Sequence, residues 1–326
     1  MGRGVELASS GGAKRIFVER YGHAMPDLVE RLEKRIRRYI TQSMPAKPGY
    51  IEEQSLSSLL IDYRIWRGRF VQPRPRIVHR SAELKKSPKS KEHAQALAAI
   101  EAKIAKGEDL NPHLSTRISM PIGGDAVDPL AKRSDRDLLL AEWDVHHLHL
   151  STEMGTNGFT KRTGDVLFAV FRESDAYLLG AFEHPAHANW AARDIFAVMV
   201  RNWPKADLVI EARSVIGLSQ DYSDEDRLKL RKSGVMSLQE VDGKVYSPTS
   251  IGLTTAGTPT AATRQADALM WELNRWRADP YTLLRETEGV PRATYWLPAI
   301  HSVVPGFEEY CGFAADGTFV TVGQLC

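Results

Sequence analysis

Trp143-Asp144-Val145-His146-His147-Leu148-His149-Leu150 opens the stretch whose reading decides the fold, and that stretch runs on to Trp203. It holds five of the ten histidines. In a strand, side chains alternate between two faces. Val145, His147 and His149 therefore share one face, and His146, Leu148 and Leu150 the other. The leucine-bearing face is expected to be buried, which makes His146 a satisfied core histidine and puts His147 and His149 together on the more open face. Val166–Arg172 is apolar on both faces, as a central strand is. Ala176–His184 is the next strand, joined through Glu173-Ser174-Asp175. A helix over about 189–202 follows, with Ala192, Ile195, Phe196, Met199 and Trp203 inward, and Pro204 stops it. Asp207–Glu211 is expected to be a further strand.

Upstream, residues 1–14 are rich in Gly and Ser and are expected to be loose. Leu28, Leu32, Ile36 and Ile40 recur every four residues, the spacing of a helix. A second helix is expected over Ile51–Ile61. The segment Asp62–Arg80 then interleaves six arginines with Tyr63, Trp66 and Phe70. Arg64, Trp66, Arg67, Arg69, Arg74, Arg76 and Arg80 are its candidates for nucleic-acid contact, arginines for phosphate and the indole for stacking. The competing reading is an arginine-rich segment that pairs with acids elsewhere in the chain. Pro73 and Pro75 favour an extended path. Lys85, Lys86, Lys89 and Lys91 prolong the positive run. Residues 91–106 read as an alanine-rich helix ended by Gly107, with Leu97, Ile100 and Ile104 inward. The glycine- and proline-bearing stretch to about Ser134 is the expected domain boundary, and Asp135–Trp143 a short helix.

Downstream, Ser223 begins a capping-box variant that opens a helix ending before Gly234. Asp242-Gly243 between Leu238–Val241 and Lys244–Tyr246 is a type I′ hairpin signal. Ala266, Leu269, Met270, Leu273 and Trp276 form one helical face. Short strands are expected around Gly306, Gly312 and Gly317. The expected fold class is α+β, a mainly antiparallel central sheet with a helical N-terminal region and an α+β C-terminal extension. The expected division is 1–134, 135–210 and 211–326.

Composition narrows the class of protein without naming a partner. A net charge of +2 over 326 residues points to no partner. The two cysteines, Cys311 and Cys326, make neither a disulfide framework nor a thiolate metal site. No signal segment or membrane span is evident, so the expectation is a cytoplasmic protein. Kinase, dinucleotide-binding, phosphate-loop and serine-hydrolase signatures are absent.

Histidines on one open surface suit metal-independent RNA cleavage. One takes the 2′-hydroxyl proton, another protonates the leaving oxygen, and a cation steadies the charged intermediate. His147, His149, His184 and His187 are the candidates, with Arg162 or Lys161 for the phosphate. The competing chemistry is zinc held by His147, His149 and His184 or His187. No carboxylate stands at diagnostic spacing, so no resident metal and no cofactor is expected. A non-catalytic nucleic-acid- or protein-binding module is the third reading.

The histidine-bearing strand, Arg162 in a loop, Leu167-Phe168-Ala169-Val170-Phe171 and Ala176–His184 together resemble the core of RelE/HigB-type toxins over about residues 135–210. That resemblance implies a small curved antiparallel sheet with helices on one side, metal-free cleavage of RNA by basic residues, and an inhibitory partner protein. It also implies a role in phage defence or stress response.

Overall fold

The computed structural model describes residues 25–123, 137–183, 193–250, 252–278, 312–313 and 319–320. Along the chain come α1 (Met25–Ser43), α2 (Tyr50–Glu53), α3 (Leu56–Arg67), β1 (Ile77–Arg80), α4 (Ala82–Lys86), α5 (Pro88–Glu92) and α6 (Ala94–Lys106). They are followed by α7 (Leu138–Trp143), β2 (His146–His149), β3 (Asp165–Phe171), β4 (Asp175–Glu183), α8 (Arg193–Asn202) and β5 (Val209–Glu211). Then come α9 (Asp224–Lys232), β6 (Gln239–Val241), β7 (Lys244–Pro248), α10 (Thr260–Ala278), β8 (Gly312–Phe313) and β9 (Phe319–Val320). The class is α+β.

The chain divides into two compact units, one of residues 1–43, 54–60 and 265–326, the other of 44–53 and 61–264. The second unit takes in residues on both sides of position 134, because β1 pairs in parallel with β4. Its central sheet has the order β1-β4-β3-β2, antiparallel except for that first pair. A second sheet runs β5-β7-β6.

Both faces of the central sheet are covered. On one, Leu148, Leu150, Leu167, Ala169 and Leu178 pack with Leu97, Ile100 and Ile104 of α6. On the other, Val166, Phe168, Val170 and Leu179 pack with Ile195, Phe196 and Met199 of α8 and with Trp143 of α7. A register shift between Phe168 and Ala169 passes over Leu179, so Ala181 joins the α6 face together with Ala176. One extra residue in a strand reverses the faces of everything after it.

Local signals in the sequence account for most of these elements. Leu97, Ile100 and Ile104 are buried as expected, and Gly107 closes α6 in the left-handed region at φ 75°. The Ser223 side chain accepts from Asp226 N at the start of α9. Asp242 and Gly243 both take positive φ, 52° and 76°, which a type I′ turn requires. Of the expected α10 face, Ala266, Leu269 and Leu273 are buried, while the side chain of Trp276 lies outside the described residues. In α1, Leu32, Ile36 and Ile40 are buried; the side chain of Leu28 lies outside the description.

Three expectations change. The helix read over Ile51–Ile61 is two helices, α2 and α3, and α3 runs on through Arg67. Four of the nine arginines and aromatics named in that segment, Tyr63, Arg64, Trp66 and Arg67, are therefore helical, and only Val71 onward is extended. The face carrying His147 and His149 is not open: their exposures are 9% and 3%. Alternation assigns a face correctly, but whether another element covers that face is a tertiary matter.

Candidate functional site

The end of the central sheet where β3 begins and β4 ends gathers the chain's densest set of reactive side chains among the described residues. Asp165 heads β3 opposite Glu183, the last residue of β4. Thr163 fixes that corner, its hydroxyl donating to Asp165 O at 2.5 Å and accepting from Leu150 N at 3.1 Å. Against it stands the break between α5 and α6. His93 occupies that break with φ −100° and ψ 25°, outside the helical run on either side. The break turns consecutive side chains, Glu92 and His93, toward the sheet end. His93 Nε2 lies 2.9 Å from Asp165 Oδ2, and Lys89 Nζ donates to Asp165 Oδ1. Lys89 is also 3.7 Å from Glu183. One ligand atom each from Glu92, His93 and Asp165 lie within 4.8 Å of one another.

Electrostatics follow from this geometry. Burial pushes the Asp165 carboxyl up, but hydrogen bonds from Lys89 and His93 outweigh it and hold the group below its usual value. The hydrogen bond to Asp165 is the main reason the Lys89 ammonium is held above its own. Both side chains are thus kept charged. Among the described residues, three carboxylates (Glu92, Asp165 and Glu183) meet the ammonium of Lys89, so the charge described at this corner is negative overall.

The expected catalytic residues are distributed elsewhere. His146 is buried in the core as the pattern predicted, but only half satisfied: Nε2 bonds to Gly68 O at 3.1 Å, its ring meets the edge of Phe171, and Nδ1 has no partner. His147 Nδ1 stands 3.4 Å from Asp137, the residue whose carboxylate caps α7 by accepting from Leu139 N and Leu140 N. Burial raises the Asp137 carboxyl, and the bond from His147 brings it below the usual range. The His149 ring is 6.4 Å from that of His147, and the His149 carbonyl accepts from His113 Nδ1 at 3.2 Å. The open face expected for His147 and His149 is therefore corrected to a buried one. Arg162 is exposed and donates to Thr116 Oγ1 at 3.2 Å, while Lys161 pairs with Glu153 at 2.5 Å. His184 and His187 lie outside the described residues, as do residues 1–14 and the strands expected around Gly306 and Gly317.

The arginine-rich segment is largely spent on the fold. Arg69 is buried and donates to Met120 O at 2.7 Å. Arg76 is buried and donates to Arg172 O at 2.7 Å and Gln72 O at 3.0 Å. Arg80 forks onto Glu101, Arg74 pairs with Glu173 at 3.1 Å, and Arg67 donates to Gln72 at 2.7 Å. Trp66 packs between Tyr63 and Phe70. For these arginines the structural reading outweighs phosphate contact, and most of their acceptors are carbonyl or amide oxygens, not acids. Arg64 differs, and it is taken up below.

The sequence reading missed Glu92, His93 and Asp165. The one signal that pointed to them is polarity out of place: an acid heading an apolar strand, and an acid–histidine pair at the start of an alanine-rich helix. A second histidine–carboxylate pair, His79 Nε2 at 2.7 Å from Asp175, was missed too; it stacks on Tyr177 at 4.9 Å. Asp175 is the half-buried first residue of β4, where the described groups around it are His79, Ser174 and Tyr177, with no second carboxylate among them, so it offers less than the Asp165 corner. No family model, curated protein or solved structure matches this chain. Among the described residues, no helix is long and apolar enough to cross a membrane.

Proposed function

We propose that the chain is a metal-assisted hydrolase of phosphodiesters, with RNA as its substrate in the cytoplasm and Glu92, His93 and Asp165 as the metal ligands. The observation that carries this reading is the convergence of those three side chains beside Lys89 at one end of the sheet. One imidazole and two carboxylates suit zinc or manganese. Ligands about 2.1 Å from a tetrahedral ion stand roughly 3.4 Å apart, and the three atoms here lie within 4.8 Å of one another with Glu92 exposed. The charge supports the same reading, since a phosphate approaching three carboxylates and one lysine is repelled until a divalent cation joins them.

The chemistry is then a single displacement. A cation held by Glu92, His93 and Asp165 would supply Lewis-acid activation of water. The hydroxyl of that water would bond to phosphorus as the bond from phosphorus to the leaving oxygen broke, and the water's other proton would pass through solvent to that oxygen. Lys89, kept charged by Asp165, steadies the negative charge that builds on the phosphoryl oxygens. A metal-free reading is favoured by one observation, the direct His93–Asp165 hydrogen bond. In it, His93 moves the proton from Nδ1 while Asp165 orients the ring.

Labelled RNA incubated with the purified protein tests both. The metal-assisted reading expects cleavage that EDTA stops and added manganese restores, and that Asp165→Asn lowers by at least 100-fold. Cleavage that resists EDTA but is lost in His93→Ala selects the metal-free reading. No cleavage under either condition overturns the hydrolase proposal.

A further inference from the structure

The C-terminal turn of α3 presents a different electrostatic situation from the Asp165 corner. Arg64 and Arg67 are one helical turn apart and lie on the same side of α3. Arg67 is tied by one nitrogen to Gln72, and its Nε is buried without a hydrogen-bond partner. The guanidinium of Arg64 is partly buried and makes no hydrogen bond or ion pair with any described residue. Asp144 is the carboxylate close enough to attract it, and Asp144 is already taken by Arg172. Arg64 and Arg172 therefore both draw on one carboxylate. Beside them His146, more than nine-tenths buried, spends Nε2 on the carbonyl of Gly68 and leaves Nδ1 without a partner. A half-buried cation with unused donors is costly unless something supplies the missing acceptors.

We infer that Arg64, with Arg67 one helical turn further on, is the centre of an oxyanion site that takes a phosphate group. The fork of a guanidinium matches two oxygens of such a group, and partial desolvation strengthens each bond. The site lies toward the Phe171 end of β3, whereas Asp165 is at its start. Six residues of strand put roughly 20 Å between them, so Arg64 is a binding residue remote from the reacting centre. The inference does not depend on the hydrolase reading. The phosphate has two sources, a phosphodiester of an RNA strand or a free phosphate or nucleotide, and a titration separates them.

The test is calorimetric titration of the whole protein with inorganic phosphate and with an eight-nucleotide RNA, using wild type, Arg64→Gln and Arg64→Lys. The site predicts that Arg64→Gln weakens binding of the preferred probe at least 10-fold, and that Arg64→Lys recovers part of the loss. If RNA is the source, the RNA binds more tightly than phosphate. Arg64→Gln then flattens the slope of log K against log salt by about 0.7. If a free anion is the source, phosphate binds at least as tightly as the RNA. Arg64→Gln removes an unpartnered cation, so its Tm should stay level or rise. A fall in Tm marks a structural arginine and overturns the inference. So does equal binding by wild type and Arg64→Gln, or no binding of either probe to wild type.

Discussion

His93 Nε2 stands 2.9 Å from Asp165 Oδ2, although 72 residues separate the two in sequence. The contact exists because the helical run breaks at His93 and because Asp165 heads a strand whose next five residues, Val166 to Val170, are buried. It joins two features that are each unremarked alone, a kink between helices and a polar strand end. The functional reading turns on that meeting, and the strand histidines play a different part.

His147→Ala should reduce stability more than catalysis. The change strips Asp137 of its histidine partner while leaving it to cap α7, a loss of about 1–3 kcal/mol. Urea unfolding should show the lower midpoint, and any RNA cleavage per folded molecule should stay within about twofold of wild type. Loss of cleavage without loss of stability would return catalysis to the β2 histidines.

The Arg231–Glu142 ion pair is almost fully buried, with side-chain exposures of 2% and 3%, and Arg231 also lies over the Trp143 ring. Burial opposes the charge on both partners, raising the Glu142 carboxyl and lowering the Arg231 guanidinium. Arg231→Met strands the carboxylate and should cost about 3–5 kcal/mol. The double change Glu142→Leu with Arg231→Met should recover most of that. Thermal melts of the two variants check it, and an equally unstable double variant would refute it.

Gly107 is demanded twice. Its φ of +75° is one that side chains resist, and an added Cβ would come 2.5 Å from Pro75 N and 2.6 Å from the Arg74 carbonyl carbon. Gly107→Ala should therefore cost more than the ~1 kcal/mol of the backbone term alone. A chemical-denaturation midpoint unchanged from wild type would contradict this packing.

Stability should fall as the medium is acidified below about pH 6.5. Burial is the main cause that lowers both His146 and His113 from the usual 6.5. Below 6.5 the unfolded chain takes up protons that the folded one refuses, so the folded state loses ground until its own lower pKa values are reached. Unfolding free energies at pH 8, 6.5 and 5 should decrease in that order, with a shallower decline in His113→Asn. Stability that rose between pH 6.5 and 5 would reverse the sign.

The legible parts of the sequence were those in which a single stretch carries its own instruction. The spacing of Leu97, Ile100 and Ile104, the Asp242-Gly243 pair and the Ser223 cap each name a local conformation, and the structure adopts them. The α+β class and the central place of Val166–Arg172 followed from the same kind of signal. What could not be read was coverage and convergence. Alternation put His147 and His149 on a common face, but only the packing of α7 and α8 decides that this face is closed. The arginines of 62–80 looked available because their acceptors, the carbonyls of Met120, Gln72 and Arg172, carry no sequence signature. Glu92, His93 and Asp165 belong to segments whose meeting depends on α5, α6 and β3 all being in place.

The measurement that bears most directly on the central claim is calorimetric titration of manganese or zinc into the EDTA-stripped, dialysed protein and into His93→Ala and Asp165→Asn. One ion should bind per chain, with affinity falling at least 10-fold in each variant, while circular dichroism shows both variants folded. Absence of stoichiometric binding to the wild-type chain, or binding that neither substitution weakens, would contradict a metal centre at the head of β3.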